Sequence, residues 1–593
     1  MKIKSYSKVL SALAISSLLL AACSDDTEKS STKEKKGRDV EQVDTSKFPT
    51  KTTNQGKAME GGHLTYGLVS DTPFEGILNK AFSQGAPDHE IFTFMDDEDL
   101  LDTDENYVYN NEGAATYDLS EDYKTFTLNI RDNVNWQDGK PVTGADLEYA
   151  YLVIASKDYK GPVYDPEQME KIKGMKEYHE GKADKISGIK VEGKKITFTF
   201  TEANPSVKTG LWVYPLHKEY LSDVPIAKME SSDKIRKNPI GFGPFKVKKI
   251  VQGEAVEFEA NKDYWRGVPK LDSVTLKVVN PSVAVKSLEK GDLDVAEITA
   301  DSYEQAKALG NIQILGKIDL AYSYIGFHMG HYDEKKGENI MDNPKFQDKR
   351  LRQAMAYAIN NEEVGEKMYK GLRFPANSVI TPNFKYNNKD IKPYKYDPEK
   401  AKKLLDDAGY KDTNNDGLRE DPDGKEFKLN FASMSGSDIA EPLTKYYIQQ
   451  WQQVGLDVQM LDGRLHEFNS FYDLLKKDND KVDIYQAAWQ VASDPDPSGI
   501  WGRTALYNYT RWTNEKNDEL LAKGVSEEAF DDQYRIDTYN KWQELIHEEV
   551  PMIPTLFRYT MTGVNERVTG YDYLAAGQYQ WFNVGVTEKE PKK

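Results

Sequence analysis

The chain has 593 residues, 30% of them charged, a formal net charge of −19 and one cysteine, Cys23. Acidity on this scale works against a nucleic-acid partner, and one thiol excludes internal disulfides and multi-thiolate metal sites. The length suits two or three domains with large cores.

In chain order, Lys2, Lys4 and Lys8 precede an apolar run, Val9–Ala22, that ends in small residues. That order predicts a secretory signal peptide over residues 1–22. The run has 14 residues, short of the roughly 20 needed to span a bilayer. Leu20-Ala21-Ala22-Cys23 resembles the lipobox of bacterial lipoproteins. The resemblance implies cleavage before Cys23, lipid on its thiol and anchoring at the outer face of the cell membrane. Loss of three lysines with the leader takes the net charge to −22. Residues 23–57 are polar with little to bury, which predicts a disordered tether. About 35 such residues reach roughly 30–35 Å.

The folded part is expected from about residue 58. Leu64–Leu68, Phe126–Ile130 and Ile196–Phe200 alternate as half-buried strands do. Thr143 and Asp146 have capping-box spacing, with Asp in place of Glu, before a helical stripe of Leu147, Ala150, Tyr151 and Ile154. Strands are expected around Val256–Ala260 and Val274–Val278. Leu351, Met355, Ala358 and Ile359 then line a helix. Asp397-Pro398 supplies an N-cap and N1 proline for another, which Gly409 stops. Further elements follow: a strand at Phe427–Phe431, a helix from about Ile439 to Val454 that Gly455 stops, a strand from Val482 to near Trp489, and a long helix through Tyr539, Trp542 and Ile546. The pattern is α/β without internal repeats.

Five segments then carry a resemblance. Trp136-Gln-Asp138-Gly139-Lys-Pro-Val-Thr143-Gly-Ala-Asp146 is similar to a characteristic stretch of the bacterial peptide-binding lipoproteins of ABC importers. Gly241–Phe245, Asn261–Trp265, the arginine-led Lys349–Asn360 and Asp397–Tyr410 match that family's later segments in order. The similarity covers roughly residues 60–585. Tyr507-Asn-Tyr-Thr-Arg511-Trp512 resembles members from Gram-positive bacteria that take up long peptides.

The resemblance implies a two-lobed, periplasmic-binding-protein-like (flytrap) α/β fold. Lobe I would hold residues 58–278 plus 561–593, with an extra subdomain of about 80–180. Lobe II would hold 279–560, with crossings near Lys277–Asn280 and Arg558–Thr562. The implied partners are oligopeptides and the permease subunits of the membrane, met by a monomer that needs no cofactor. In this family a Trp at a lobe II strand end lines the pocket and a nearby Asp holds the ligand's α-ammonium. Trp489 and Gln490 match the strand end. Position 492, where that aspartate is typical, is Ala, and the next carboxylates are Asp494 and Asp496. Either reaches the site by another loop path, or each caps a proline-rich turn. Tyr164 and Trp581 are further candidates for cleft walls, with core packing as the alternative.

Other chemistry is thin. Asp412-Thr-Asn414-Asn-Asp416-Gly417 resembles the first half of an EF-hand loop, but Asp423 takes the place of its closing Glu. A plain turn is the expectation and bound calcium the alternative. His547-Glu548 lacks a zincin's second histidine, because Pro551 stands there, and no Gly-x-Ser-x-Gly elbow occurs. An enzyme is therefore not expected. The alternatives to an importer component are a peptide-pheromone receptor of the same fold and a lipid-anchored glycoside hydrolase.

Overall fold

A computed structural model describes residues 47–83, 85–95, 99–573 and 581–593. Cys23, the leader and the first part of the expected tether lie outside these residues. The tether expectation changes for residues 47–57, which lie on the folded body. Phe48 packs edge-on to Tyr559 at 5.2 Å, Gly316 N–H donates to the Pro49 carbonyl, and Thr52 N–H to that of Tyr571. Phe48 gives this polar stretch one large ring to bury.

The chain starts with β1 (His63–Val69) and α1 (Ala86–Met95). Next come β2 (Ala115–Leu119), β3 (Thr125–Ile130), α2 (Gly144–Ile154), β4 (Ile189–Glu192) and β5 (Lys195–Thr199). The four strands form an antiparallel sheet ordered β2–β3–β5–β4, with α2 against β4 and β5. The capping box forms as expected: Asp146 Oδ2 accepts from Thr143 N–H at 2.8 Å. Asp146 Oδ1 also accepts from Lys218 N–H at 2.9 Å, so one carboxylate ties two helix starts together. Buried side chains between Ile77 and Phe242 give this region its own core.

The main sheet has eleven strands. In chain order the next elements are β6 (Phe245–Val251), β7 (Ala255–Ala260), β8 (Ser273–Val279), α3 (Pro281–Lys290), β9 (Val295–Ile298) and β10 (Ile312–Phe327). They are followed by α4 (Lys349–Tyr357), α5 (Pro398–Ala408), β11 (Lys428–Ala432), α6 (Ala440–Gln453), β12 (Asp457–Met460) and α7 (Phe468–Lys476). The last are β13 (Ile484–Gln490), α8 (Asp532–Glu549) and β14 (Met552–Asn565). The sheet order is β12–β11–β13–β10–β14–β9–β1–β8–β7–β6, with Arg373–Pro375 pairing onto β14. The expected helix stops hold: Gly409 and Gly455 take φ of +94° and +90°, which suits residues without a Cβ.

Two long strands carry the sheet past its middle. β10 has 16 residues and β14 has 14, paired antiparallel. Their register slips between the pairs Ile318–Tyr559 and Tyr322–Phe557, so Asp319, Leu320 and Ala321 bulge out of the ladder. On one side of the bulge, Leu315 and Val564 join the core of β1 and β6–β8. On the other, Tyr322, Ile325, Leu556 and Phe557 join a core built with α4–α8. The sheet is continuous while the cores beneath it change. β9 pairs parallel with β1, and so lies on the β1 side.

The motifs that carry the resemblance act as joints in this frame. Gln137 donates to the Phe245 carbonyl at 2.8 Å and Trp136 stacks on His217 at 4.7 Å. The Arg352 guanidinium of α4 is 1% exposed. It donates to the carbonyls of Glu549, at 2.6 Å, and of Val550, at 3.0 Å, where α8 ends. A buried cation is satisfied there by helix-terminal carbonyls that have lost their intrahelical partners.

Candidate functional site

β13 ends beside the bulge. Trp489 pairs with Tyr322 of β10 and is half-buried. Its indole N–H is out of solvent and has no acceptor among the described residues. Tyr509 stacks on it at 6.0 Å and 12°, and Tyr507 meets it edge-on at 5.7 Å. A buried donor without an acceptor costs roughly 1–3 kcal/mol, so this atom is poised to receive one.

Gln490, one residue on, is tied into the bulge. Its Nε2 donates to Asp319 Oδ1 at 3.1 Å, and its Oε1 accepts from Arg558 Nη2 at 3.2 Å. Arg558 Nε donates to Asp319 Oδ2 at 2.6 Å. Three residues from three strands thus lock the point where the cores change.

Charged groups from the β1 side surround this lock. Glu90 of α1 accepts from the Tyr66 hydroxyl at 2.9 Å, and Lys317 lies 4.4 Å over the Tyr573 ring. Burial pushes the Glu90 carboxyl up and the Lys317 ammonium down, with each group's charge opposing the other's shift. Glu297 on β9 makes no hydrogen bond or ion pair with the described residues. Loss of surrounding water, reinforced by the charge of Glu90 and opposed by Arg558, pushes its carboxyl up to about 7. The residue is nonetheless solvent-exposed and, with Glu90 and Lys317, makes a charged floor beside the lock.

The loop after β13 turns away from this floor. Asp494 accepts from the Thr209 hydroxyl and lies 3.5 Å from Arg535 Nη2 of α8. Ser493 Oγ donates to the Thr209 carbonyl at 3.2 Å, and Arg535 also reaches Ser206 Oγ at 3.4 Å. Asp496 accepts from Ser498 N–H at 3.0 Å and Oγ at 2.6 Å; burial and the neighbouring Asp494 charge push its carboxyl up. Both aspartates therefore have protein partners, and Asp494 fastens this loop to the 204–210 segment. Two aromatic contacts follow the same seam. Tyr123 stacks on Phe530 at 3.9 Å, and Tyr107, 2% exposed, meets Phe384 at 5.3 Å.

The structure therefore brings Trp489 and Gln490 together and puts Asp494 and Asp496 on the adjoining seam. Tyr164 lies apart, stacked on His179 at 4.1 Å with its hydroxyl on Glu170 at 3.3 Å. Trp581 is 1% exposed and packs on Phe94 at 4.3 Å in the core of β1. Sequence reasoning missed Glu90, Glu297, Asp319 and Arg558 as site residues; strand pairing brings the last three together, and Glu90 arrives on α1.

At the EF-hand-like loop, Asp412 accepts from Gly417 N–H at 3.0 Å and Asp416 from Leu418 N–H at 2.8 Å. Glu420 folds back onto Thr413 N–H at 2.7 Å. Among the described residues no three His, Cys, Asp or Glu side chains are placed to hold a metal, and no helix is long and apolar enough to cross a membrane.

Comparison with known proteins gives this geometry a setting. The model of the bacterial extracellular solute-binding proteins, family 5 Middle, matches residues 109–511. The oligopeptide-binding protein OppA of Lactococcus lactis subsp. cremoris (strain SK11) is 33% identical, over 97% of each chain. AppA of Bacillus subtilis (strain 168), also an oligopeptide-binding protein, is 28% identical over 95% of each. A lactococcal OppA structure, closed on an endogenous peptide, superposes with a TM-score of 0.77 at 33% identity, over 89% of this chain and 100% of that one. B. subtilis AppA with a nonapeptide gives 0.68 at 26%, over 90% and 100%. The fold is that of the two-lobed solute-binding proteins, as expected from sequence. By sequence and by structure, the chain belongs to the bacterial extracellular solute-binding proteins of family 5.

Proposed function

We propose that this protein captures oligopeptides outside the cell and hands them to the permease subunits of an ABC importer, anchored by lipid on Cys23. The observation that carries the peptide reading is the buried, acceptor-less indole N–H of Trp489 beside the bulge. Backbone carbonyls are the acceptors every peptide offers, and an extended segment beside a strand end supplies them in series. The two relatives named for oligopeptide binding support the same reading.

The lobes we propose follow the cores. β9 pairs with β1, which supports a first crossing at Asp319–Ala321 in place of Lys277–Asn280. The second lies near Arg558–Thr560, where β14 changes core. The Thr209–Asp494 contact then joins the lobes when they close, and closure sheds water from the bonds made inside. With residues 47–57 docked on the body, a flexible tether over the remaining residues 23–46 would reach roughly 25–30 Å. That separation keeps the carrier close to a membrane partner.

Mass spectrometry of ligand released from the purified protein tests the substrate class: peptides are expected, and sugars or metal alone would overturn it. Cys23→Ser should leave binding intact and release the protein from cells; retention on the membrane would remove the lipid anchor from this reading. Asp494 and Asp496 already have partners, so no clamp for a free ligand amine is expected there. Acetylating a bound peptide's N-terminus should change affinity by about 3-fold or less, whereas a charge-assisted clamp would give at least about 10-fold. Calorimetry distinguishes the two.

A further inference from the structure

Aromatic rings continue outward from Trp489 in an unbroken series. Tyr509 stacks on Trp489 at 6.0 Å, Tyr472 of α7 lies 5.9 Å from Tyr509, and Phe468 lies 4.8 Å from Tyr472. Tyr507 lies 5.7 Å from Trp489 and 6.3 Å from Tyr509, so these three rings form a triangle at the inner end of the series. Trp489 and Tyr472 are half-buried and Tyr509 is only 4% exposed, while Phe468 and Tyr507 are 59% and 54% exposed. They are the two aromatic residues among the large apolar side chains most exposed in the described residues.

Local structure does not require these two rings. α7 is capped by Glu467, whose carboxylate accepts from Asn469 N–H at 3.0 Å and Ser470 N–H at 3.2 Å. Phe468 is the first residue inside that cap, not at the N′ or N4 positions of a hydrophobic staple. Its place in the fold does suit a ligand. β11, β12 and β13 are mutually parallel, and α7 follows the carboxyl end of β12 just as Trp489 stands at that of β13. In open α/β sheets ligands lie outside the carboxyl ends of the strands. The strip is thus an extension of the cleft edge.

We propose that the strip Tyr507–Trp489–Tyr509–Tyr472–Phe468 is an accessory subsite for a long peptide, taking apolar or aromatic side chains of residues that project beyond the closed cleft. This rests on the oligopeptide reading. From Tyr507 through Tyr509 and Tyr472 to Phe468 the centroid steps are 6.3, 5.9 and 4.8 Å, a path of at most about 17 Å, the span of roughly five extended residues. Rings stacked in series offer faces and edges to any apolar side chain, giving preference without a fixed register. The occupant follows from continuity with Trp489, whose unpaired N–H marks where peptide backbone leaves the cleft.

The test uses the full-length protein with Phe468→Ala and Tyr507→Ser combined, which replaces only exposed side chains. Randomised pools of nonapeptides and of tetrapeptides are equilibrated with it, and retained peptides are sequenced by mass spectrometry. The parent protein should retain nonapeptides enriched in aromatic and aliphatic residues toward one end. The double variant should lose that enrichment and bind the enriched nonapeptides about 10-fold more weakly, the effect of roughly two ring contacts. Tetrapeptides should bind both proteins within about 2-fold. Unchanged enrichment in the variant would overturn the subsite. Unchanged binding with lost peptide uptake by cells would also overturn it, assigning the strip to the membrane partner. Retention of neither pool by the parent would instead remove the oligopeptide reading itself.

Discussion

The two sides of Trp489 use opposite chemistry. Toward the bulge, Gln490, Asp319 and Arg558 form a closed set of directional bonds, joined by half-buried Glu90 and Lys317. Away from it, Tyr507, Tyr509, Tyr472 and Phe468 offer rings with no fixed donor or acceptor pattern. Directional bonds at low dielectric hold one geometry and penalise the loss of any member. Ring surfaces tolerate many partners at small cost each. A carrier of varied peptides needs both: a rigid point about which lobes close, and a loose surface that does not dictate sequence.

The largest effect should come from breaking the rigid side. Arg558→Ala leaves Asp319 with Gln490 alone at the bulge. Because the Arg558 side chain is 39% exposed, water screens part of the loss, and about 2 kcal/mol of stability should go. Phe468→Ala on the loose side should stay within about 0.5 kcal/mol. Urea denaturation of both variants measures the contrast, and equal losses would abolish it. Next in size is Thr209→Val, which removes the hydroxyl bonded to Asp494 across the seam. One hydrogen bond of about 1 kcal/mol, formed on closure in the lobe assignment we propose, should lower the affinity of every ligand about 5-fold, alike for short and long peptides. A length-dependent loss would mean that the seam belongs to the binding surface.

Glu297 tests the floor through pH. Its carboxyl titrates near 7 in the fold, against the usual 4.5. The folded state therefore holds a proton that the unfolded state has lost between those values. Stability contributed by this proton is complete below about 4.5 and lost as pH rises to 7. Glu297→Gln, which mimics the protonated form, should leave Tm nearly unchanged at pH 4.5 and raise it by about 1–2 °C at pH 8. No difference between the two pH values would place Glu297 in ordinary solvent.

Local features of this molecule were legible in the sequence, and the meeting of distant strands was not. The Thr143–Asp146 capping box, the Asp397-Pro398 helix start and the stops at Gly409 and Gly455 depend on neighbours a few residues away. Trp489 was recognisable by resemblance, as the end of an alternating strand. Asp319 and Arg558 are 239 residues apart and meet because β10 and β14 pair with a slip. No local pattern marks such a slip. Asp494 and Asp496 could be read as a clamp or as turn caps; Asp496 caps its own turn at Ser498, whereas the partners of Asp494, Thr209 and Arg535, come from regions the local sequence cannot align. Trp581 and Tyr164 are aromatic, as cleft residues often are, but Trp581 packs in a core and Tyr164 lies half-buried at the edge of another.

The smallest expected effect is at the other acidic site. The 412–423 loop has a calcium-like order of oxygens, yet Asp412, Asp416 and Glu420 each already accept from backbone N–H groups of their own turn. Glu297 has fewer acidic neighbours in sequence but no bonded partner among the described residues. Charge density alone would rank the loop as the better cation site, whereas satisfaction of each oxygen ranks it second. A bound cation stabilises the fold by an amount that grows with its concentration over Kd, about 2.7 kcal/mol at 100 times Kd. Calcium at 1 mM would therefore shift Tm by several degrees if the loop were a site of 10 µM affinity. The expected shift between calcium and chelator is below about 1 °C. Calorimetric scans in the two buffers check it, and a larger rise, abolished by Asp416→Ala, would make the loop a metal site and reverse the ranking.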